Sequence, residues 1–208
     1  MSSVTVALFG GSFNPPHVGH VLAVAYALSV GLVERVLVVP VFEHALGKRL
    51  VSFQHRLEMA QRAFAWLPGV EVSPIEARLG APSRTLRTIQ ALEFEHPDWR
   101  LRLLVGSDIT GEIEKWHAFE EIQRRAPPLI LPRAGSSDQA GALPLLPEVS
   151  STAVRQLLER AIPRREASEP GGVVAVDAQL ASLSPQLASL VPRAVLEYIA
   201  EHGLYAAT

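Results

Sequence analysis

The sequence contains no cysteine among its 208 residues, which excludes disulfide scaffolds, thiolate zinc sites and cysteine nucleophiles. An excess of charge of one sign is also lacking, because 19 Lys and Arg stand against 21 Asp and Glu. A general nucleic-acid-binding surface would be strongly basic, so we expect no nucleic-acid partner. The longest apolar run, residues 21–33, is shorter than the roughly 20 residues that a membrane span requires. Since no targeting segment is visible either, we expect a soluble cytoplasmic protein without a membrane partner.

Apolar residues make up 48% of the chain, and short runs of Val, Leu and Ile alternate with segments of helical periodicity. The predicted strands are residues 4–9, 35–40, 70–75, 101–105 and 129–131, with 143–146 as a sixth candidate. The predicted helices are residues 18–32, 53–66, 85–95, 118–125 and 192–202, and one that begins at Ser150. Strands that alternate with helices form βαβ units, so we predict an α/β fold with a Rossmann-like, doubly wound and mostly parallel sheet. We expect one domain over residues 1–208, in which 163–184 form a loop insertion and 185–208 a C-terminal helical part.

Residues 10–20, GGSFNPPHVGH, connect the first predicted strand to the first predicted helix. Gly10 and Gly11 allow a phosphate to approach the main chain, since no Cβ is in the way. The N–H groups and the dipole of a helix N-terminus favour an anion at the same place. His17 and His20 are three residues apart and share one helix face, where their imidazoles can donate hydrogen bonds to phosphate oxygens. The alternative is a glycine-rich turn whose histidine pair only caps the helix.

A second polar string begins a later helix. Ser150, Ser151 and Thr152 are natural N-caps, which is also their purely structural explanation. Arg155 lies one turn into that helix and carries a permanent charge that can bind phosphate oxygens in a bidentate manner. The two strings are about 130 residues apart, and together they are a more specific signal than either alone.

Taken together, these strings resemble the H-x-G-H nucleotidyltransferase superfamily, whose second signature is S-S-T-x-[VI]-R. Further strings are similar to the nicotinate/nicotinamide mononucleotide adenylyltransferases, most of all to the bacterial nicotinate-nucleotide enzymes, almost from end to end. They are Pro82-Ser83-Arg84-Thr85, Gly106-Ser107-Asp108, Lys115-Trp116, Leu131-Pro132-Arg133 and the segment 190–205. The resemblance implies an enzyme that transfers the adenylyl group of ATP to nicotinic acid mononucleotide, giving deamido-NAD and pyrophosphate, with Mg²⁺ bound to ATP.

The resemblance also implies a role for individual residues. Separately, we expect no metal site made by the protein, because H-E-x-x-H is absent and the carboxylates are scattered. The catalytic set is His17, His20, Arg155 and Lys48. The ATP-binding set is Gly10, Gly11, Ser12, Phe13, His17, Gly19, His20, Gly106, Asp108, Arg133, Ser150, Ser151, Thr152 and Arg155. The pyridine-nucleotide-binding set is Asn14, His44, Lys48, Ser83, Arg84, Thr85 and Trp116.

Three departures from the family pattern leave alternatives open. Arg84 stands where the family usually has Tyr, and the string from His44 to Lys48 is closer to one in nicotinamide mononucleotide enzymes. The insertion over residues 163–184 is longer than the usual linker. A nicotinamide mononucleotide or dual-specificity enzyme, a phosphopantetheine adenylyltransferase and a non-catalytic nucleotide sensor are the alternatives, and the sequence is compatible with a homo-oligomer.

Overall fold

The computed structural model describes residues 3–43, 50–107, 110–113, 116–132, 146–161 and 185–206. Its strands are β1 (Val4–Gly11), β2 (Arg35–Pro40), β3 (Val70–Val72), β4 (Trp99–Gly106) and β5 (Pro128–Leu131). Its helices are α1 (Val18–Ser29), α2 (Phe53–Phe64), α3 (Ile75–Leu79), α4 (Thr85–Glu95), α5 (Thr110–Ile113), α6 (Phe119–Arg125), α7 (Ser151–Ala161), α8 (Pro185–Leu190) and α9 (Arg193–Glu201). The strands form one five-stranded sheet in the order β3-β2-β1-β4-β5, and every neighbouring pair is parallel.

Both faces of the sheet are buried, which explains why β1 and β2 are nearly continuous apolar runs rather than alternating ones. Alternate residues of β1 and β2 point to opposite faces. One buried cluster contains Ala7, Phe9, Val36 and Val38, and the other contains Val6, Leu8, Leu37 and Val39. Helices α1, α2, α7, α8 and α9 cover the first face, and α3 to α6 cover the second. The prediction of a doubly wound α/β fold is confirmed.

The first helix ends earlier than its apolar pattern predicts, at Ser29 instead of residue 32. The N–H of Gly31 donates to the Leu28 carbonyl and that of Leu32 to the Ala27 carbonyl. Gly31 has a φ of +69°, so the chain leaves the helix through a left-handed residue in a Schellman motif. The apolar residues that follow Ser29 therefore belong to a turn and not to the helix.

One strand prediction needs correction, and a second lies mostly outside the described residues. The strand predicted over 70–75 ends at Val72, because Pro74 opens helix α3 and accepts the N–H of Ala77 at 3.0 Å. Of the proposed sixth strand, 143–146, only Leu146 lies within the described residues. It forms an isolated bridge, with its N–H donating to the Pro132 carbonyl at 3.2 Å.

The parallel order brings the carboxyl ends of the strands to one edge. Gly10 and Gly11 pair with Val39 and Pro40 at the ends of β1 and β2, and Gly106 ends β4. Ligands of open α/β sheets bind beyond this edge, at the point where the strand order reverses. In this sheet that point lies between β1 and β4. Within the described ranges, no helix is both long enough and apolar enough to cross a membrane.

Candidate active site

The loop from β1 to α1 is anchored by a buried aromatic side chain. Phe13 adopts a φ of +46° and is only 1% exposed. Its ring packs edge-on against those of Phe9, Phe64 and His20, at centroid distances of 5.7, 6.1 and 5.1 Å. A Cβ at Gly11 would lie 3.1 Å from that ring, so glycine permits the packing. The Phe13 ring is therefore an anchor of this loop in the core.

His17 and His20 come together at the start of α1. Their rings stack with centroids 3.7 Å apart, and the main-chain N–H of His17 donates to His20 Nδ1 at 3.1 Å. An atom that accepts a hydrogen bond carries a lone pair, so in the neutral ring the proton of His20 is on Nε2. His17 is almost wholly buried, whereas His20 is half-buried. The geometry therefore makes His20 Nε2 a hydrogen-bond donor at a helix N-terminus.

Gly19 is required by close packing between two distant parts of the chain. A Cβ at Gly19 would lie 2.9 Å from Val149 Cγ1 and 3.2 Å from the His17 ring. Real Cβ atoms do not approach a neighbour as closely as 2.9 Å. The absence of a side chain thus lets the segment before α7 contact the first turn of α1.

The second polar string meets the first one directly. Arg155 Nη1 donates to the Asn14 carbonyl at 2.7 Å, and Nη2 donates to Thr152 Oγ1 at 3.1 Å. Ser151 Oγ donates to the Pro15 carbonyl at 2.9 Å. Ser150 Oγ accepts the N–H of Ala153 at 3.2 Å and so caps α7. Two sites singled out in the sequence are thus one site in space, with both helix N-termini beside the β1–α1 loop.

Asn14 is the centre of this arrangement and is only 1% exposed. Its Oδ1 accepts the hydroxyl of Tyr205 at 2.8 Å and the N–H of Val51 at 3.3 Å. Burial raises the pKa of Tyr205 above its ordinary value of 10.0, against the opposing charges of Arg155 and Arg56. Sequence reasoning noted Tyr205 only as part of a C-terminal resemblance, so this contact was missed.

Arg56 is a second residue that sequence reasoning missed. It is 2% exposed, and its guanidinium donates to the carbonyls of Ser12, Val41, Phe42 and Val51 at 2.7–3.1 Å. Burial lowers its pKa, and the neighbouring Tyr205 and Glu76 oppose that shift. The available signal was periodicity, because Arg56 falls in the apolar stripe of α2, where an unpaired charge would be costly.

Three of the residues predicted to bind the pyridine nucleotide lie at the N-terminus of α4, which we call the pyridine side of the site. Ser83 Oγ accepts the N–H of Glu43 at 3.1 Å, Arg84 is the exposed N-cap residue, and Thr85 begins the helix. Trp116 is half-buried and packs against the same apolar cluster as the first turn of α4. An open cavity beside this indole is lined by Trp116, Ala118, Phe119, Glu120 and Gln123. His44, Lys48, Asp108, Lys115, Arg133 and the insertion over 163–184 lie outside the described residues.

Comparison with known proteins agrees with this geometry. Residues 8–157 match the family model described as cytidylyltransferase-like. A probable nicotinate-nucleotide adenylyltransferase of Anaeromyxobacter sp. (strain K) is 38% identical over 203 residues, which cover 96% of each chain. One of Myxococcus xanthus (strain DK1622) is 36% identical over 204 residues, which cover 98% of this chain and 95% of the relative.

Among solved structures, nicotinic acid mononucleotide adenylyltransferase of Plasmodium falciparum complexed with NaAD has a TM-score of 0.72. It is 16% identical, and the match covers 97% of both chains, so this likeness shows the shared fold. The resemblance noted in the sequence is thereby confirmed. The chain belongs to the cytidylyltransferase-like family and, within it, to the nicotinate-nucleotide adenylyltransferases.

Proposed function

We propose that the protein transfers the adenylyl group of ATP to nicotinic acid mononucleotide, with deamido-NAD and pyrophosphate as products. The observation that carries this proposal is the meeting of the two signature strings at Asn14 and Pro15, through Arg155 and Ser151. Two helix N-termini then flank one loop at the carboxyl edge of the sheet, where anionic ligands are favoured. The names of the relatives supply the substrate class.

The reaction needs positioning and charge stabilisation rather than a covalent intermediate. A 5′-phosphate oxygen of the mononucleotide attacks the α-phosphorus of ATP, and the bond from that phosphorus to the β-phosphate oxygen breaks in line. Negative charge grows on the α-phosphoryl oxygens and on the leaving pyrophosphate. His20 Nε2–H is a fixed donor for this charge, because Nδ1 is already bound to the His17 main chain.

Arg155 contributes a held cation. Two of its donor contacts bind Asn14 and Thr152, so the guanidinium is oriented before substrate arrives. We expect its remaining N–H groups to bind the triphosphate, together with the main-chain N–H groups at the start of α7. Lys48, Asp108, Arg133 and His44 are proposed substrate ligands on the strength of the resemblance alone.

A divalent metal fits this site as a companion of ATP. Within the described part of the chain, no three His, Cys, Asp or Glu side chains come together as a metal site. The donors at the loop are instead N–H groups and a guanidinium, which suit phosphate oxygens and leave the metal to the nucleotide itself. Mg²⁺ bound to ATP would neutralise charge on the leaving pyrophosphate.

An assay of pyrophosphate release with ATP tests this function against its alternatives. The acceptors are nicotinic acid mononucleotide, nicotinamide mononucleotide and phosphopantetheine, each at several concentrations. Thr85 and Arg84 stand at a helix N-terminus, which favours a carboxylate over an amide on the pyridine ring. We expect kcat/KM to be at least about tenfold higher for the nicotinic acid substrate, which corresponds to about 1.4 kcal/mol.

Other outcomes of that assay would contradict the proposal in distinct ways. Turnover with phosphopantetheine alone would identify a different transferase, and nucleotide binding without any turnover would identify a sensor. Equal kcat/KM for the two pyridine substrates would contradict the proposed acid specificity at Arg84 and Thr85.

The role of His20 is tested by His20→Ala. We expect kcat to fall by about 10²–10³, the usual cost of one transition-state donor, with smaller changes in substrate binding. His96→Ala is the matched control, because this ring stacks on Trp99 at the start of β4, the opposite edge of the sheet. A folded His20→Ala protein with kcat within a few-fold of the parent would refute the assignment.

A further inference from the structure

The segment that follows β2 is held from two sides by buried groups of opposite charge. Arg56 Nη1 donates to the Val41 carbonyl at 2.7 Å, and Glu76 Oε2 accepts the N–H of Phe42 at 3.0 Å. The carbonyl of Val41 and the N–H of Phe42 belong to the same peptide group. That peptide therefore points its oxygen at a cation and its hydrogen at an anion, and both charged side chains are at most 7% exposed.

The next peptide is held in the same way. The Phe42 carbonyl accepts from Arg56 Nη2 at 3.1 Å, and the Glu43 N–H donates to Ser83 Oγ at 3.1 Å. Two successive peptide groups thus have both of their polar ends occupied by side chains from other elements. Such a segment cannot shift without breaking several buried hydrogen bonds at once.

These contacts link the two sides of the proposed site. On one side, Arg56 also donates to the Ser12 carbonyl at 3.1 Å, in the loop that leads to His17. On the other side, Glu76 Oε1 accepts the hydroxyl of Thr88 at 3.3 Å, one turn after Thr85. A continuous chain of hydrogen bonds therefore joins the β1–α1 loop to α4.

We propose that Arg56 and Glu76 are positioning residues, which fix the distance between the nucleotide-binding loop and the pyridine side by holding the Val41–Phe42 peptide between them. This inference rests on the proposed function, since it assigns the two sides to two substrates of one reaction. In-line attack requires the reacting atoms of the two substrates to be held close together and aligned, and a displacement of about 1 Å can cost about 10²-fold in rate. Neither side chain touches a substrate in this scheme.

The test compares kcat, measured with both substrates saturating, with the separate dissociation constants of a non-hydrolysable ATP analogue and of nicotinic acid mononucleotide. Arg56→Lys keeps the charge, but a single ammonium has three donors and cannot serve four carbonyls. Glu76→Gln keeps the shape, but it removes the charge and leaves one acceptor oxygen where Glu76 uses two, for the Phe42 N–H and the Thr88 hydroxyl. We expect each variant to lower kcat at least tenfold while each dissociation constant changes less than threefold. Arg62→Lys is the matched control on the same helix, where the guanidinium is half-buried and binds Glu58, and it should keep the parental kcat.

A second criterion comes from the double variant, which combines Arg56→Lys with Glu76→Gln. Because both side chains act on one peptide, we expect its kcat to lie within threefold of that of the slower single variant. Multiplicative losses would show that the two residues act independently and would overturn the inference. So would a kcat within twofold of the parent, or a loss of kcat that only follows the folded fraction, measured by near-UV circular dichroism. If Arg56→Lys does not fold, Glu76→Gln decides alone.

Measurements on the parent protein distinguish failure of the proposed function from failure of the positioning role. No pyrophosphate release by the parent with ATP and nicotinic acid mononucleotide would refute the proposed function before any variant is made. Normal release by the parent together with normal kcat in folded variants would refute only the positioning role.

Discussion

The hydroxyl of Tyr205 should make the free energy of unfolding fall as the pH rises through the alkaline range, and one substitution should remove this dependence. In the folded chain this hydroxyl donates to buried Asn14 Oδ1 at 2.8 Å, and burial raises its pKa above the ordinary 10.0. Tyr205→Phe deletes the donor and the titrating proton and keeps the ring. Asn14 Oδ1 retains the N–H of Val51 as a donor, so the loss at neutral pH is that of one neutral hydrogen bond, about 1 kcal/mol.

The sign of the pH effect follows from proton linkage. Below pH 10 the tyrosine is neutral in both states, and its contribution to the free energy of unfolding is constant and complete. Above pH 10 the unfolded chain releases the proton while the folded chain keeps it, so stability falls by about 1.4 kcal/mol per pH unit until the folded pKa is reached. Between pH 9 and pH 11 this group alone should cost the parent about 1.4 kcal/mol.

The measurement is urea unfolding of the parent and of Tyr205→Phe at pH 8, 9, 10 and 11. The quantity to compare is the difference between their free energies of unfolding at each pH. All other titrating groups are common to both proteins. We expect the variant to be about 1 kcal/mol less stable at pH 8 and as stable as the parent, or slightly more so, at pH 11. A difference that stays constant from pH 8 to pH 11 would show that the Tyr205 hydroxyl is not buried against Asn14.

Two further predictions concern the contacts around the substrates. Gly19→Ala should lower the free energy of unfolding by about 1–3 kcal/mol, because the new methyl group would meet Val149 at 2.9 Å. Gly111→Ala is the control, since nothing lies within 4 Å of a Cβ at that position. Equal urea unfolding midpoints for Gly19→Ala and the parent would contradict the packing. Trp116→Ala should raise KM for the mononucleotide by an amount corresponding to about 1–3 kcal/mol of lost stacking and leave KM for ATP nearly unchanged. Equal effects on both KM values would mean that the indole only supports the surrounding cluster.

Most of the sheet was predictable because its strands are buried on both faces. In residues 4–9 the only polar side chain is Thr5, near the start of the run, and such a run is typical of a strand covered on both faces. The ends of elements were less predictable. The Schellman turn at Gly31 and the helix opened by Pro74 depend on hydrogen bonds and dihedral angles that the apolar pattern does not contain.

The site was predictable as a set of residue types but not as a set of contacts. His17 and Arg155 stand in recognisable strings, so their chemistry is visible in the sequence. The contacts of Tyr205 with Asn14 and of Arg56 with Ser12 join residues 191 and 44 positions apart, with no local pattern that pairs them. Periodicity marks a buried charge on α2 but does not tell which carbonyls it binds.

The partners of the β1–α1 loop impose an order on biosynthesis. Pro15 and Asn14 contact Ser151, Arg155 and Tyr205, at sequence separations of 136, 141 and 191 residues. Contacts this distant cannot form on the ribosome until the later residues leave the exit tunnel, and their closure is entropically slow. The loop is thus translated long before its partners, so a nascent chain interrupted after α7 carries both signature strings and still lacks the Tyr205 hydroxyl that donates to Asn14 Oδ1.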